Sequence, residues 1–182
     1  NAVSGQPNIL MFHVDNVSVG DFGCYGGAYP LGAKTPNIDR FASESLHESP
    51  ELGGRVQFIE GLLPGATLPL PTYDAIVSNS LLHHLHDPGV FWRAVREAGA
   101  PGAAVLVMDL FRPESAAAAQ AIVDQYAAGE PDVLRQDFFA SLCAAFEPDE
   151  IRAQLRAHGL DDLRVRTVSD RHLLVTGRLP PR

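Results

Sequence analysis

The chain has 182 residues, 46% of them hydrophobic and 20% charged, with a formal net charge of −8; this describes one soluble globular domain with a real core, too short for two comfortable ones. The acidic balance argues against general nucleic-acid binding, which needs a basic surface to displace counterions, and no apolar run approaches the roughly 20 residues that span a bilayer. Cys24 and Cys143 lack ligand-like spacing and read as reduced thiols of a cytoplasmic protein, and no signal-peptide pattern follows Asn1.

Asn8 to Asp15, NILMFHVD, reads as a strand, a mostly apolar run between Pro7 and a polar, glycine-rich stretch. Asn16 to Lys34 carries too many Gly and Pro residues for a regular element and reads as a long loop. Thr35 as N-cap with Pro36 at the first helical position then starts a helix that places Ile38 and Phe41 on one face. Ser43 to Gly54 has no period and reads as a connection. Arg55 to Glu60 alternates as a strand does, and Gly61 to Thr72 is a Pro-punctuated loop.

Tyr73 to Asn79 is an apolar run that opens into the His-rich segment SLLHHLHDP, so a buried strand leading into a reactive-looking loop is expected. Asp87-Pro88 repeats the cap-plus-proline signature, and Val90, Phe91, Ala94 and Val95 define an amphipathic helix ending near Gly99. Pro101-Gly102 turns the chain into Ala103 to Leu110, a continuous apolar run of the kind found in strands covered on both faces. Helices are expected at Glu114 to Ala127, at Pro131 to Phe146 and at Pro148 to His158, the last closed by Gly159. Leu163 to Val168 and His172 to Arg178 then form a hairpin about Ser169-Asp170-Arg171. The fold class is α/β: a mostly parallel, Rossmann-like sheet with helices on both faces and an antiparallel hairpin at its C-terminal edge.

Several residues invite chemistry. His83 or His84 is a candidate general base, since an unperturbed imidazole titrates near physiological pH. A zinc site among His83, His84, His86 and Asp87 is disfavoured, because adjacent histidines point apart and no second carboxylate or Cys stands at a fixed offset. Phe91-Trp92 and the run Val105 to Met108 are core; Phe138-Phe139 and Tyr126 are more simply packing than a substrate pocket. Arg152, Arg156, Arg164, Arg166 and Arg171 alternate with acids and read as a solvated face.

From about residue 55 to 179 the chain resembles the second half of a class I S-adenosylmethionine-dependent methyltransferase. The residues that carry this are RVQFIEGLLPG, YDAIVSNSLLHHLHDP, the helix with Phe91-Trp92, PGAAVLVMDLFRP and the closing hairpin. The resemblance implies S-adenosylmethionine as cofactor and a small-molecule methyl acceptor. It puts Gly61 and Leu62 against adenine, and Asn79, Ser80 and Leu81 beside the methionine part and the transferred methyl. The family's Gly-x-Gly-x-Gly turn is absent, and a strand–helix unit between Asn8 and Arg55 is missing, so the N-terminal unit is truncated or replaced. If the Arg55 strand sits beside the first, Glu60 falls where the ribose-holding acid belongs; if Asn8 to Asp15 pairs beside Tyr73 to Asn79, Asp15, Glu60 and Asn79 converge on one crevice.

Residues 7–44, with PNILMFHVDNVSVGDFGCYGG and KTPNIDRFA, are similar instead to the opening of a sulfatase of the alkaline-phosphatase superfamily. That likeness implies a divalent cation, such as Ca²⁺, on Asp15 and Asn16, the amide oxygen of Asn16 being a reasonable ligand for a hard ion. No Cys or Ser followed by x-Pro-x-Arg supplies the nucleophile, so sulfate-ester hydrolysis is the least favoured reading. The chain reads as a chimera within a single α/β domain, with a junction near residues 42–54. The alternatives are a methyltransferase with an impaired donor site and a non-catalytic chimera that at most holds a cation.

Overall fold

The computed structural model describes residues 7–13, 59 and 63–181. The chain divides into two units, 1–13 with 63–182 and 14–62, and every described residue except Ile59 belongs to the first. The predicted loop at 16–34, the helix at Pro36, the junction at 42–54 and the strand at Arg55 to Glu60 lie outside the described residues.

Among the described residues five strands form one sheet: β1 (Ile9–His13), β2 (Tyr73–Asn79), β3 (Gly99–Leu110), β4 (Arg164–Thr167) and β5 (His172–Arg178). Their order is β1-β2-β3-β5-β4. β1, β2 and β3 run parallel, β5 inserts antiparallel beside β3, and β4 closes the edge against β5. The predicted first strand therefore pairs directly with the Tyr73 strand, Ile9 opposite Ala75 and His13 opposite Asn79. The helices among the described residues are α1 (Gly89–Ala98), α2 (Ala116–Tyr126), α3 (Asp132–Ala144) and α4 (Pro148–Ala157), and a 3-10 turn, Leu82–His84, follows β2.

Local chemistry accounts for the element ends. Asp87 Oδ1 accepts the Gly89 N–H at 2.8 Å at the start of α1, and Ser115 Oγ accepts the Ala118 N–H at 3.1 Å at the start of α2, each satisfying a donor the helix leaves open. Glu150 reaches back to the Glu147 N–H at 2.7 Å before α4, and Gly159 ends it with φ +64. Two expectations need correction. β3 starts at Gly99, without a turn between helix and strand; the Pro101-Gly102 bend is absorbed as a register shift between Tyr73 and Ala75. Glycine suits position 99 because a Cβ there would displace the Leu179 side chain and lie 3.0 Å from the Val95 carbonyl oxygen. Nor is β3 covered on both faces along its length: Val105 and Val107 are buried, while Leu106 between them is 43% exposed.

The main core lies between one sheet face and the α1–α4 pair. Leu10, Ile76, Val105, Val107, Leu173 and Val175 meet Phe91, Trp92, Val95, Ile151 and Leu155, the period-2 rows of strands meeting the 3.6-period stripes of helices. Trp92 donates Nε1–H to Gln154 Oε1 at 2.9 Å, tying the two helices where they cross. α2 and α3 build a smaller core of their own over Leu110 with Val123 and Leu142, against which Phe138 and Phe139 pack.

Candidate functional site

Parallel strands β1, β2 and β3 run toward one edge of the sheet, His13 opposite Asn79 and Asn79 opposite Met108, and ligands of open α/β sheets bind outside the carboxyl ends of such strands. The chain leaves β2 through Ser80, whose φ of +53 is left-handed, a conformation that non-glycine residues hold only where their surroundings enforce it. The enforcing contacts are the Ser80 N–H to the Met108 carbonyl at 3.0 Å and the Asn79 Nδ2–H to Ser80 Oγ at 3.2 Å. Asn79 Oδ1 is then a buried acceptor with no partner among the described residues, a group that native structures seldom leave unmet.

Past Ser80, Leu81 and Leu82 turn into the main core, 4% and 1% exposed, so Leu81 can offer a ligand only its backbone. The 3-10 turn then carries His83 onto Asp109, which the end of β3 delivers from the other side. Nδ1 of His83 and Oδ1 of Asp109 are 2.5 Å apart, with side chains 5% and 1% exposed. Leu82 N–H donates to Oδ2 at 2.7 Å and Leu110 N–H to Oδ1 at 2.8 Å. Three donors thus converge on one buried carboxyl, which makes it an acceptor throughout and assigns the imidazole proton to Nδ1. Nε2 of His83 is left as the basic nitrogen. His84 is half-buried and its ring lies 4.0 Å from that of His83. The two candidate histidines are therefore distinct: His83 has a fixed tautomer and an acidic partner, and the His84 ring leans against it at 39°.

Of the other predicted site residues, Asp15, Asn16, Glu60, Gly61 and Leu62 lie outside the described residues. His86 and Asp87 are exposed and Asp87 serves the α1 cap; among the described residues no three His, Cys, Asp or Glu side chains are grouped to hold a metal. Asp109 was not singled out from sequence. Its signal was there, as the one acid inside an apolar run, but its bond to a residue 26 positions earlier exists only once β2 and β3 pair.

Beside this pair, the start of β5 places His172 opposite Leu110. Burial, and then the neighbouring Arg171, lower the His172 pKa below the usual imidazole value, against the raising influence of Asp170 and Asp109. The β4–β5 turn is bound to the end of α2: Tyr126 donates its hydroxyl to Asp170 Oδ2 at 2.8 Å, and the Arg171 guanidinium lies 3.5 Å from the Tyr126 ring centre. The Tyr126 hydroxyl, followed by Arg171, holds the Asp170 carboxyl below its usual range.

Among the described residues, three parallel strands continued by an antiparallel β5, with polar side chains at the strand ends, define a Rossmann-like α/β domain. Residues 11–165 match the family described as a methyltransferase domain, and the chain belongs to that family. Over 153 residues it is 28% identical to the ubiquinone biosynthesis O-methyltransferase of Caulobacter sp. (strain K31), a match that covers 78% of this chain and 58% of that protein. Over 68 residues it is 35% identical to human arylsulfatase H, covering 34% of this chain and 12% of that protein. The chain thus spans less than two thirds of either relative. In fold it is similar to a SAM-dependent methyltransferase from Aquifex aeolicus, with a TM-score of 0.51, 17% identity and coverage of 94% and 82% of the two chains. It is also similar to human N-acetylserotonin methyltransferase in complex with SAM, with a TM-score of 0.50, 16% identity and coverage of 96% and 48%.

Proposed function

We propose that the chain is an S-adenosylmethionine-dependent methyltransferase domain in which His83, positioned by Asp109, removes a proton from a small-molecule acceptor. The observation that carries this is the buried His83–Asp109 bond beside an unmet acceptor, Asn79 Oδ1, at the ends of β2 and β3. The residues present fit the cofactor: Asn79 Oδ1 is an unmet acceptor suited to an ammonium such as that of the methionine part. When bound, the cofactor supplies an electrophilic methyl on a sulfonium. The work left to the protein is to position the acceptor, exclude water and take up a proton. His83 does the last through Nε2, because Asp109 holds Nδ1–H and stabilises the imidazolium that forms. An acceptor whose nucleophilic atom carries a dissociable proton, a hydroxyl above all, uses such a base.

Titration calorimetry with S-adenosylmethionine and with its demethylated product tests the donor site. Heat that is lost in Asn79→Ala supports the reading; no heat and no thermal shift at millimolar ligand removes it. The 35% identity to arylsulfatase H favours a second, narrower reading in which Asp15 and Asn16 hold a divalent cation. A calcium-dependent rise in Tm that Asp15→Ala abolishes is its test.

A further inference from the structure

The α2–α3 hairpin is tied to the rest of the fold at three places of different kinds. At its neck, Phe111 bridges to Phe146, and the Arg112 N–H donates to the Phe146 carbonyl at 3.2 Å. The Arg112 guanidinium closes the neck, donating to the Ala145 carbonyl at 3.2 Å and pairing with Glu150 at 2.8 Å. The excursion over residues 113–145 thus leaves and returns at one point. At its far end, the Tyr126 hydroxyl and ring hold Asp170 and Arg171 of the β4–β5 turn, contacts made by a side chain 45% exposed. Between neck and tip, α3 runs past the 3-10 turn that carries His83, with Cα atoms of the two within 8 Å.

Little apolar burial fixes this hairpin. α2 buries Ala119 and Val123 and α3 buries Leu142, in a small core to which the sheet contributes Leu110, whereas α1 buries Phe91, Trp92 and Val95 in the main core. Segments with few buried apolar contacts open at lower cost than the core they rest on. Both ends of the excursion pass through extended residues, Ser115 at ψ 160 and Ala145 at ψ 157, element-terminal positions of the kind at which hinges absorb a rotation. His83, meanwhile, is 8% exposed, and a covered base meets an acceptor only when something beside it moves.

We propose that the α2–α3 hairpin is a gate over His83, pivoting at the Arg112 neck and latched by Tyr126, which opens to admit the methyl acceptor. The latch yields before the neck: it is one hydrogen bond and one cation–π contact in solvent, while the neck joins a backbone bridge to two carbonyl bonds and a charged fork. Tyr126 is then a positioning residue, remote from the reacting atoms, that sets how often the gate stands open. That the gate admits an acceptor rests on His83 as the base; the opening itself does not.

The test uses the full chain, with amide hydrogen exchange and, separately, carbethoxylation of His83 by diethyl pyrocarbonate. Both are read by fragment mass spectrometry, with the exposed His86 as reference. Tyr126→Phe removes the hydroxyl bond and keeps the ring beside Arg171; Tyr126→Ala removes both. Amides of residues 116–144 should exchange about three- to tenfold faster in Tyr126→Phe and faster again in Tyr126→Ala, with β2, β3 and α1 unchanged. His83 should react more slowly than His86 in the parent chain and gain the same factors in the two variants, while His86 gains nothing. Emission of the buried Trp92 checks that each variant remains folded. The gate is overturned if His83 reactivity is indifferent to Tyr126, if exchange rises equally in α1 and the strands, or if His83 already reacts as fast as His86. None of these readouts involves the methyl donor, so a chain that binds no S-adenosylmethionine and a hairpin that does not open are told apart.

Discussion

Asp109→Asn separates the role of the buried carboxyl as a fold element from its role as a director of His83. Asp109 receives three N–H donors, from Leu82 at 2.7 Å, His83 at 2.5 Å and Leu110 at 2.8 Å, while 1% exposed. Alanine at this position would strand all three donors at about 1–3 kcal/mol each, a sum comparable to the ~5–15 kcal/mol that holds a domain together. Asparagine keeps one acceptor oxygen and replaces the other by an NH₂ group. With the NH₂ at the Oδ1 position, the imidazole relieves its own contact by moving its proton to Nε2 and accepting from the amide at Nδ1, while the Leu110 N–H, which shares Oδ1, loses its acceptor. The expected loss is then about 1–3 kcal/mol, or roughly 3–10 °C in Tm for a chain of this size. Urea denaturation followed by Trp92 fluorescence reads the first consequence, and nitrogen chemical shifts of the His83 ring in labelled protein read the second. Base function at Nε2 is lost with the tautomer, so methyl transfer should fall to the level of His83→Gln. A variant with Tm unchanged within a degree and the His83 proton still on Nδ1 would refute the reasoning.

Gly99→Ala should destabilise by about 1–3 kcal/mol, since the new methyl meets Leu179 and the Val95 carbonyl oxygen; a urea midpoint equal to wild type would show that the helix-to-strand junction has room. Ser80→Gly should stabilise by up to about 1 kcal/mol by relieving φ +53, while Ser80→Val should destabilise, both read from urea midpoints; the reverse order would contradict the strain assigned to that residue. Because burial and Arg171 lower the His172 pKa, the unfolded chain binds that proton more readily than the folded one at pH values just below about 6.5. Stability should accordingly rise with pH through that window and fall as the solution is acidified, and His172→Gln should make the Tm profile between about pH 7 and pH 5 shallower. An unaltered slope would remove His172 from the account.

Element by element, the local code was legible. Tyr73–Asn79 and His172–Arg178 run as the apolar pattern predicts, and the helices of the C-terminal half begin within two residues of their expected starts, because caps, prolines and periodicity act over a few neighbours. The β1–β2 pairing was posed as a question by the sequence and is answered only by the sheet. The same holds for β3: residues 105 to 107 read as uniformly apolar, and only the packed sheet divides them, Val105 and Val107 buried and Leu106 43% exposed.

The candidate site shows the same division more sharply. Residue types near positions 79 to 84 suffice to mark a polar strand end with two histidines, since strand, turn and composition are all local. Which histidine is the base depends on Asp109, and Asp109 acquires that role through a hydrogen bond across two paired strands, made in a region dry enough for three donors to need it. Partner, tautomer and burial are properties of the packed sheet, where residues 26 apart meet, and no short stretch of sequence contains them.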